Sequence, residues 1–299
     1  MINRMGYACI NTSIEKNFKD CRLASVYKNG ISFLKEIILH NLNLTKETLL
    51  WNIDRNILMY RASSKLIPFS THNEVLRDFE FRWYMDEDVL KILDEIKILV
   101  LENNIRLSMH PDQFTVLNSI KKDIIKKSII NLDYHKALLE HMGGTDLILH
   151  TGGVYGDKTS AMKRFVHTYN SLHINIRKYL RLENDDVSYT LSDVIAISKI
   201  CGIPVLLDIH HHNCNNGGIF NVKPLIKYIN HSWKPTGMIP KCHISSGINN
   251  YKDKRHADYI SPADFFSFCE ITEDIEVDLM VEAKSKELAL LELKNLMKF

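Results

Sequence analysis

Long apolar runs are missing from this sequence. None reaches the roughly 18 residues of a membrane-spanning helix, and the longest candidates are broken by Lys, Glu or Asn. The opening residues, Met-Ile-Asn-Arg-Met-Gly-Tyr, lack the apolar core of a secretory signal, which predicts a cytoplasmic protein with no membrane partner. Paired cysteines are absent too. Cys9, Cys21, Cys201, Cys214, Cys242 and Cys269 show no Cys-x-x-Cys and no disulfide-like spacing, so they read as reduced thiols. Seven prolines and twelve glycines are spread thinly and form no linker. No repeat of fixed period stands out either, which argues against a solenoid and for one domain over residues 1–299. An excess of either charge is also lacking, and a net charge of +2 gives no strong pointer to a polyanionic partner. What the chain does have is an ordinary globular composition, 45% hydrophobic and 25% charged, which excludes a disordered protein. It also has fourteen histidines, whose placement matters more than their number.

Short apolar runs at residues 4–10, 65–69, 105–110, 147–151, 180–184, 205–210, 239–244 and 278–283 alternate with longer patterns. In those patterns, at 26–44, 46–59, 86–103, 120–142, 161–179, 192–201, 222–230 and 286–297, apolar residues fall three and four apart, as on a helix. Thr45 with Thr48, Asp86, and Ser192 before Asp193 read as helix caps. Strands apolar on both faces, each followed by a helix, predict a parallel sheet covered by helices. Eight such units close a (β/α)8 TIM barrel. The runs at 65–69 and 180–184 are the weakest, and an open doubly wound sheet is the alternative.

Polar residues collect where these runs end. His110 closes the third, His150 the fourth, Glu183 the fifth, Asp208 with His210-His211-His212 the sixth, Lys241 and His243 the seventh, and Glu282 the eighth. In a barrel those ends converge on the face where active sites sit. Imidazoles and carboxylates aimed at one point desolvate and repel one another unless positive charge lies between them. Divalent ions supply it, and a nitrogen and oxygen donor set without thiolate suits Zn²⁺, Mn²⁺ or Fe²⁺. Any one of these histidines alone is more often structural than ligating. Six consecutive strand ends bearing metal-competent groups are not what core packing selects, since it favours Val, Ile and Leu. His40, His135, His141, His167, His173 and His231 lie on helical patterns or their ends and read as surface or packing residues.

The sequence closely resembles the UV damage endonucleases, metal-dependent DNA repair enzymes on a TIM barrel related to endonuclease IV. The resemblance is carried by Gly-Tyr7-Ala-Cys-Ile-Asn11, by Tyr60-Arg-Ala-Ser-Ser-Lys-Leu-Ile-Pro-Phe, by His110-Pro-Asp-Gln113-Phe114 and by His150-Thr-Gly-Gly. It continues through Glu183-Asn-Asp, Asp208-Ile-His-His211, Lys241-Cys-His243-Ile-Ser-Ser-Gly, His256-Ala-Asp-Tyr and Glu282-Ala-Lys, and so spans essentially the whole chain. The resemblance implies three ions, usually manganese, with zinc the alternative. Glu183 would bridge two of them, one also held by His110 and His150, the other by Asp208, His243 and Glu282. His211 and His256 would hold the third, with His72 close by. Lys241 matches a lysine that the family carries as a carbamate, while a plain phosphate-binding ammonium is the other reading.

The implied reaction is attack by a metal-bound hydroxide on the phosphodiester immediately 5′ to a UV photoproduct in duplex DNA, leaving 3′-hydroxyl and 5′-phosphate ends. Catalytic roles would fall to Glu183, Lys241 and His72. Gln113 and Phe114 match the family's probing pair that fills the gap left by extruded nucleotides. Tyr7 and Asn11 match residues that contact the flipped lesion. Ser245 and Ser246 offer hydroxyls, and Lys252, Lys254 and Arg255 offer cations, for phosphates. The competing readings are an abasic-site endonuclease, a metal-dependent sugar isomerase or epimerase on a similar barrel, and a non-catalytic lesion binder. The protein is expected to act as a monomer without a protein partner.

Overall fold

Apolar runs too short for helices and too apolar for a half-exposed sheet have one stable arrangement, a parallel sheet rolled up under helices. The computed structural model, which describes residues 1–297, shows that arrangement. Its strands are β1 (Ile2–Ala8), β2 (Met59–Ala62), β3 (Arg106–Met109), β4 (Asp146–His150), β5 (Leu180–Glu183), β6 (Val205–Asp208), β7 (Lys241–Ile244) and β8 (Val277–Val281). Each lies parallel to the next and β1 pairs with β8, which closes a TIM barrel. Around it run α1 (Leu23–Asn29), α2 (Ile31–Asp54), α3 (Asn73–Asp78), α4 (Glu87–Glu102), α5 (Lys122–Met142) and α6 (Lys158–Ser171). The ring is completed by α7 (Ile174–Arg177), α8 (Leu191–Cys201), α9 (Ile209–Cys214), α10 (Lys223–Trp233), α11 (Pro262–Ile271) and α12 (Lys286–Leu296). No helix among the described residues is long and apolar enough to cross a membrane. The last two residues of the expected 1–299 domain lie outside the described part.

Local chemistry explains where the elements depart from expectation. Residues 65–69 are not a strand; β2 lies earlier, at Met59–Ala62. The patterns at 26–44 and 46–59 join in the unbroken α2, because Thr45 and Thr48 do not cap a new helix. Their hydroxyls instead donate to the carbonyls of Asn41 (2.9 Å) and Leu44 (2.8 Å), one turn back. Asn56, with φ 52°, then turns the chain into β2. Asp86 caps α4 as expected, accepting from the amides of Asp88 and Val89 at 3.1 Å. The cap of α8 is Thr190 rather than Ser192, in a reciprocal box with Asp193. The pattern at 161–179 divides into α6 and α7, and α11 was not foreseen.

Two layers fill the barrel below its mouth. Ala8, Met59 and Met280 pack together inside it. A β-carbon on Gly6 would lie 2.2 Å from the Met59 carbonyl oxygen, so only glycine lets β1 and β2 approach so closely. The floor is charged. Arg106 donates to Asp146 (2.7 Å) and Asp278 (2.8 Å), and Arg181 donates to Asp146 (2.9 Å). Both guanidinium carbons lie 5.0 Å from the centroid of the buried Trp233 ring.

Candidate metal centre

Successive strand residues point to opposite faces, so one set of alternate positions on each strand enters the barrel. Pairing places Met59 opposite Arg106, Ser108 opposite Asp146, and His150 opposite Glu183. The same alternation carries Glu183, Asp208, His243 and Glu282 inward at the strand ends.

Glu183 lies at the centre and is 1% exposed. One carboxylate oxygen meets His110 Nε2 at 3.2 Å and His150 Nε2 at 3.4 Å; the other meets His243 Nδ1 at 2.6 Å. His243 Nδ1 is also 3.0 Å from Glu282. Asp208 caps α9, its Oδ1 accepting from the His211 amide at 2.8 Å, which sets the His211 ring 3.7 Å from Asp208 Oδ2. Three ligand groups result: His110–His150–Glu183, Glu183–His243–Glu282 and Glu183–Asp208–His211, each with donor atoms within 4.8 Å of one another. Glu183 belongs to all three.

The donors fit hard or borderline divalent cations. Among the described residues, buried Asp208 Oδ2, His243 Nε2 and His150 Nδ1 lack any hydrogen-bond partner. An unmet buried carboxylate oxygen costs on the order of 1–3 kcal/mol or more, a cost that a bound cation removes. Burial alone would raise the Glu183 carboxyl, but His243 and His150 hold it well below the usual carboxylate range. Glu282 behaves likewise, burial being outweighed by Arg61 and His243. Burial would lower the His211 imidazole, yet Asp208, Glu183 and Glu282 raise it to about 9. The site's geometry therefore gathers buried carboxylate oxygens and imidazole nitrogens that suit a divalent cation.

The other expected residues are placed unevenly. His256 joins none of the three groups; its Nδ1 bonds the Glu282 carbonyl at 2.6 Å and its ring edges onto His210. The partners of His211 are Asp208 and Glu183 instead. His72 precedes α3 with its ring against Phe69, and it too lies outside the three groups. Lys241 is fully buried, donates to Ser108 Oγ at 2.6 Å, and lies 3.9 Å from Asp146. Burial pushes its amine down from 10.5 to about 7.

Tyr7 and Asn11 are buried rather than presented at the mouth: the Tyr7 hydroxyl donates to Asn52 (2.7 Å) and accepts from Asn11 (2.8 Å). Ser245 and Ser246 are buried as well, their hydroxyls engaged by the Glu282 carbonyl and by Asp264. Of the loop cations, Lys254 pairs with Asp186 at 3.5 Å and Arg255 with Asp253 at 2.7 Å. Gln113 and Phe114 do stand out from the surface, Phe114 with 76% of its area exposed. Their loop is fixed from beneath: the Phe114 amide donates to Asp112 (2.8 Å), Thr115 to Asn131 (3.0 Å), and the Val116 amide to Ser128 (3.0 Å). A groove lined by Phe114, Ile120, Tyr155 and Val187 runs from this loop to His110 and His150.

Arg61 was missed. Its guanidinium donates to Glu282 and it lies within β2, one residue before the end, but it falls between the helical pattern expected at 46–59 and the run at 65–69.

The chain matches the family described as UV-endonuclease UvdE over residues 3–299. It is 36% identical over 267 residues to the UV DNA damage endonuclease of Bacillus mycoides, covering 87% of this chain and 81% of that protein. The UV-damage endonuclease of Schizosaccharomyces pombe is 32% identical and aligns 97% of this chain with 50% of that longer protein. The crystal structure of SacUVDE superposes with a TM-score of 0.82 and 32% identity over 99% of both chains.

Proposed function

The chain belongs to the UV-endonuclease UvdE family and is a DNA endonuclease, and from that premise we propose that it nicks duplex DNA immediately 5′ to UV photoproducts. The products would be 3′-hydroxyl and 5′-phosphate ends. The observation that carries the reading is Glu183, shared by three ligand groups at the barrel mouth beside the unpartnered Asp208 Oδ2. Three groups support three ions, and their nitrogen and oxygen donors suit Mn²⁺, with Zn²⁺ next. When bound, such ions supply Lewis-acid charge at a phosphodiester and ionise water near neutral pH.

This chain's own residues do the rest. Glu183 fixes the spacing of the site because each group uses it. Asp208 and Glu282 stand on the side walls, and Arg61 and His243 hold the Glu282 carboxyl well below the usual carboxylate range. Lys241, lowered to about 7, is in good part an uncharged amine near neutrality and so a nucleophile for carbon dioxide; carbamate formation would release one proton and leave an anion in place of the amine. Phe114, held out by a rigid loop, would wedge into the helix while Gln113 probes beside it, at a lower cost where damage has weakened pairing. Tyr7 and Asn11 would shape the pocket wall from behind. The three ligand groups assemble within one chain, and the proposed work on DNA is that of a cytoplasmic monomer. The family match does not favour the abasic-site or the epimerase reading.

The test is nicking of defined duplexes carrying a cyclobutane dimer, a 6-4 photoproduct or an abasic site, with Mn²⁺ or with chelator. Chelator should abolish incision, and Glu183→Gln should lower it at least a hundredfold with added Mn²⁺. Near-normal nicking by Glu183→Gln would refute the central role of this carboxylate.

A further inference from the structure

Among the described residues, the ion-pair partners of Glu183, Asp208 and Glu282 are imidazoles with one exception, Arg61. Arg61 lies opposite Ala8 on one side and Ser108 on the other. It is two residues from Met59, which packs inside the barrel, so its side chain turns inward beneath the rim. Only 13% of that side chain is exposed, against 14% for Glu282. The backbone is held as well, the Arg61 carbonyl accepting from the Cys9 amide at 2.8 Å. Nη1 donates to Glu282 Oε1, the same oxygen that lies 3.0 Å from His243 Nδ1. Both donors thus pin the carboxylate toward Glu183, where a free glutamate would swing out into water.

We propose that Arg61 is a positioning residue that presets Glu282 for an ion between Glu183, His243 and Glu282. The inference rests on the metal-dependent reading given above. Two effects of the guanidinium oppose each other. Its fixed charge repels an incoming cation, whereas its hydrogen bond fixes a flexible ligand before the ion arrives. Removing a group that orients a ligand usually weakens metal binding 10- to 100-fold, so orientation is the larger effect. A lysine supplies the charge but not the planar fork, so it replaces arginine only in part.

The experiment titrates Mn²⁺ into chelator-stripped protein without DNA, following heat and the electron paramagnetic resonance of free Mn²⁺. Arg61→Gln should weaken one Mn²⁺ per chain about 10- to 100-fold and leave the remaining binding within about twofold. Arg61→Lys should fall between the two. In a Glu282→Ala background, Arg61→Gln should change nothing further, since the coupling runs through that carboxylate. Wild-type-like or tighter binding by both variants would overturn the proposal, and so would equal weakening of every ion. If Arg61→Gln does not fold, Arg61→Lys decides alone: an unchanged isotherm overturns the proposal and a several-fold weaker single site supports it. Failure of the wild-type protein to take up any Mn²⁺ would sink the metal reading itself, and this inference with it.

Discussion

Lys241 makes the stability of this barrel depend on pH in a direction opposite to that of an ordinary surface lysine. Its amine is fully buried and titrates at about 7 in the native protein, compared with its usual 10.5. Between those values the unfolded chain binds a proton that the native state does not, so stability should rise with pH through this window. The full difference is worth up to about 1.4 kcal/mol per pH unit, or about 2 kcal/mol between pH 7 and pH 9 after allowing for partial titration near pH 7. The wild-type curve alone would hide this. His211 titrates at about 9 when folded against its usual 6.5, so its contribution is lost over the same range as pH rises. The comparison with Lys241→Met removes that second group, because both proteins retain His211. Urea unfolding in chelator and degassed buffer should show the methionine variant ahead near pH 7, by a margin that shrinks by about 2 kcal/mol toward pH 9. Adding bicarbonate should stabilise only the wild type if the amine forms a carbamate. Parallel stability curves from pH 7 to 9 would show that Lys241 keeps its proton on folding, and the argument from its burial would fail.

Gly6→Ala drives a β-carbon to 2.2 Å from a backbone oxygen of β2, where no side-chain rotation relieves the clash. It should cost about 3 kcal/mol or more, read as a lower urea midpoint at unchanged slope. Phe114→Ala removes a ring that is 76% exposed, so stability and Mn²⁺ uptake should hold. Incision of a photoproduct duplex should fall about 5- to 150-fold, from the roughly 1–3 kcal/mol that base–aromatic stacking contributes. Full activity would remove Phe114 from the wedge.

The closed sheet, and most of the polar residues that it gathers at its mouth, are legible in the sequence because both depend on local pattern. The polar residues that close these largely apolar runs face the barrel mouth, as with His110, His150, Glu183 and Asp208, while Arg106, Asp146, Arg181 and Asp278 lie lower in their strands and form the floor. Where a run was misjudged, the site residue went with it. Met59 was counted into a helix because apolar residues three and four apart run from 46 to 59, and Arg61 fell outside the expected second strand. Hydroxyl direction and loop course have no comparable signal. Ser245, Ser246 and Asn11 lie just after their strands and Tyr7 near the end of β1, as expected, yet their polar atoms bond inward, and His256 turns to a carbonyl.

A protein with net charge +2 is a weak attractor for a polyanion, and the vertical ordering of charge inside the barrel addresses this difficulty. At the floor, Arg106 and Arg181 face Asp146 and Asp278, and Arg4 lies 3.6 Å from Asp278. Burial pushes the Lys241 amine above them down to about 7; Asp146 favours its charge, and Arg106 and Arg61 oppose it. At the rim, Glu183, Asp208 and Glu282 meet one arginine and several imidazoles, of which His211 is raised to about 9, so Arg61 and His211 offset part of the carboxylate charge of that rim. Loaded with divalent cations it becomes the most positive place on the molecule, so affinity for DNA should depend on metal before it depends on any lysine of the outer surface. Equal binding of a photoproduct duplex by chelator-stripped and Mn²⁺-loaded protein, at matched ionic strength, would contradict this ordering.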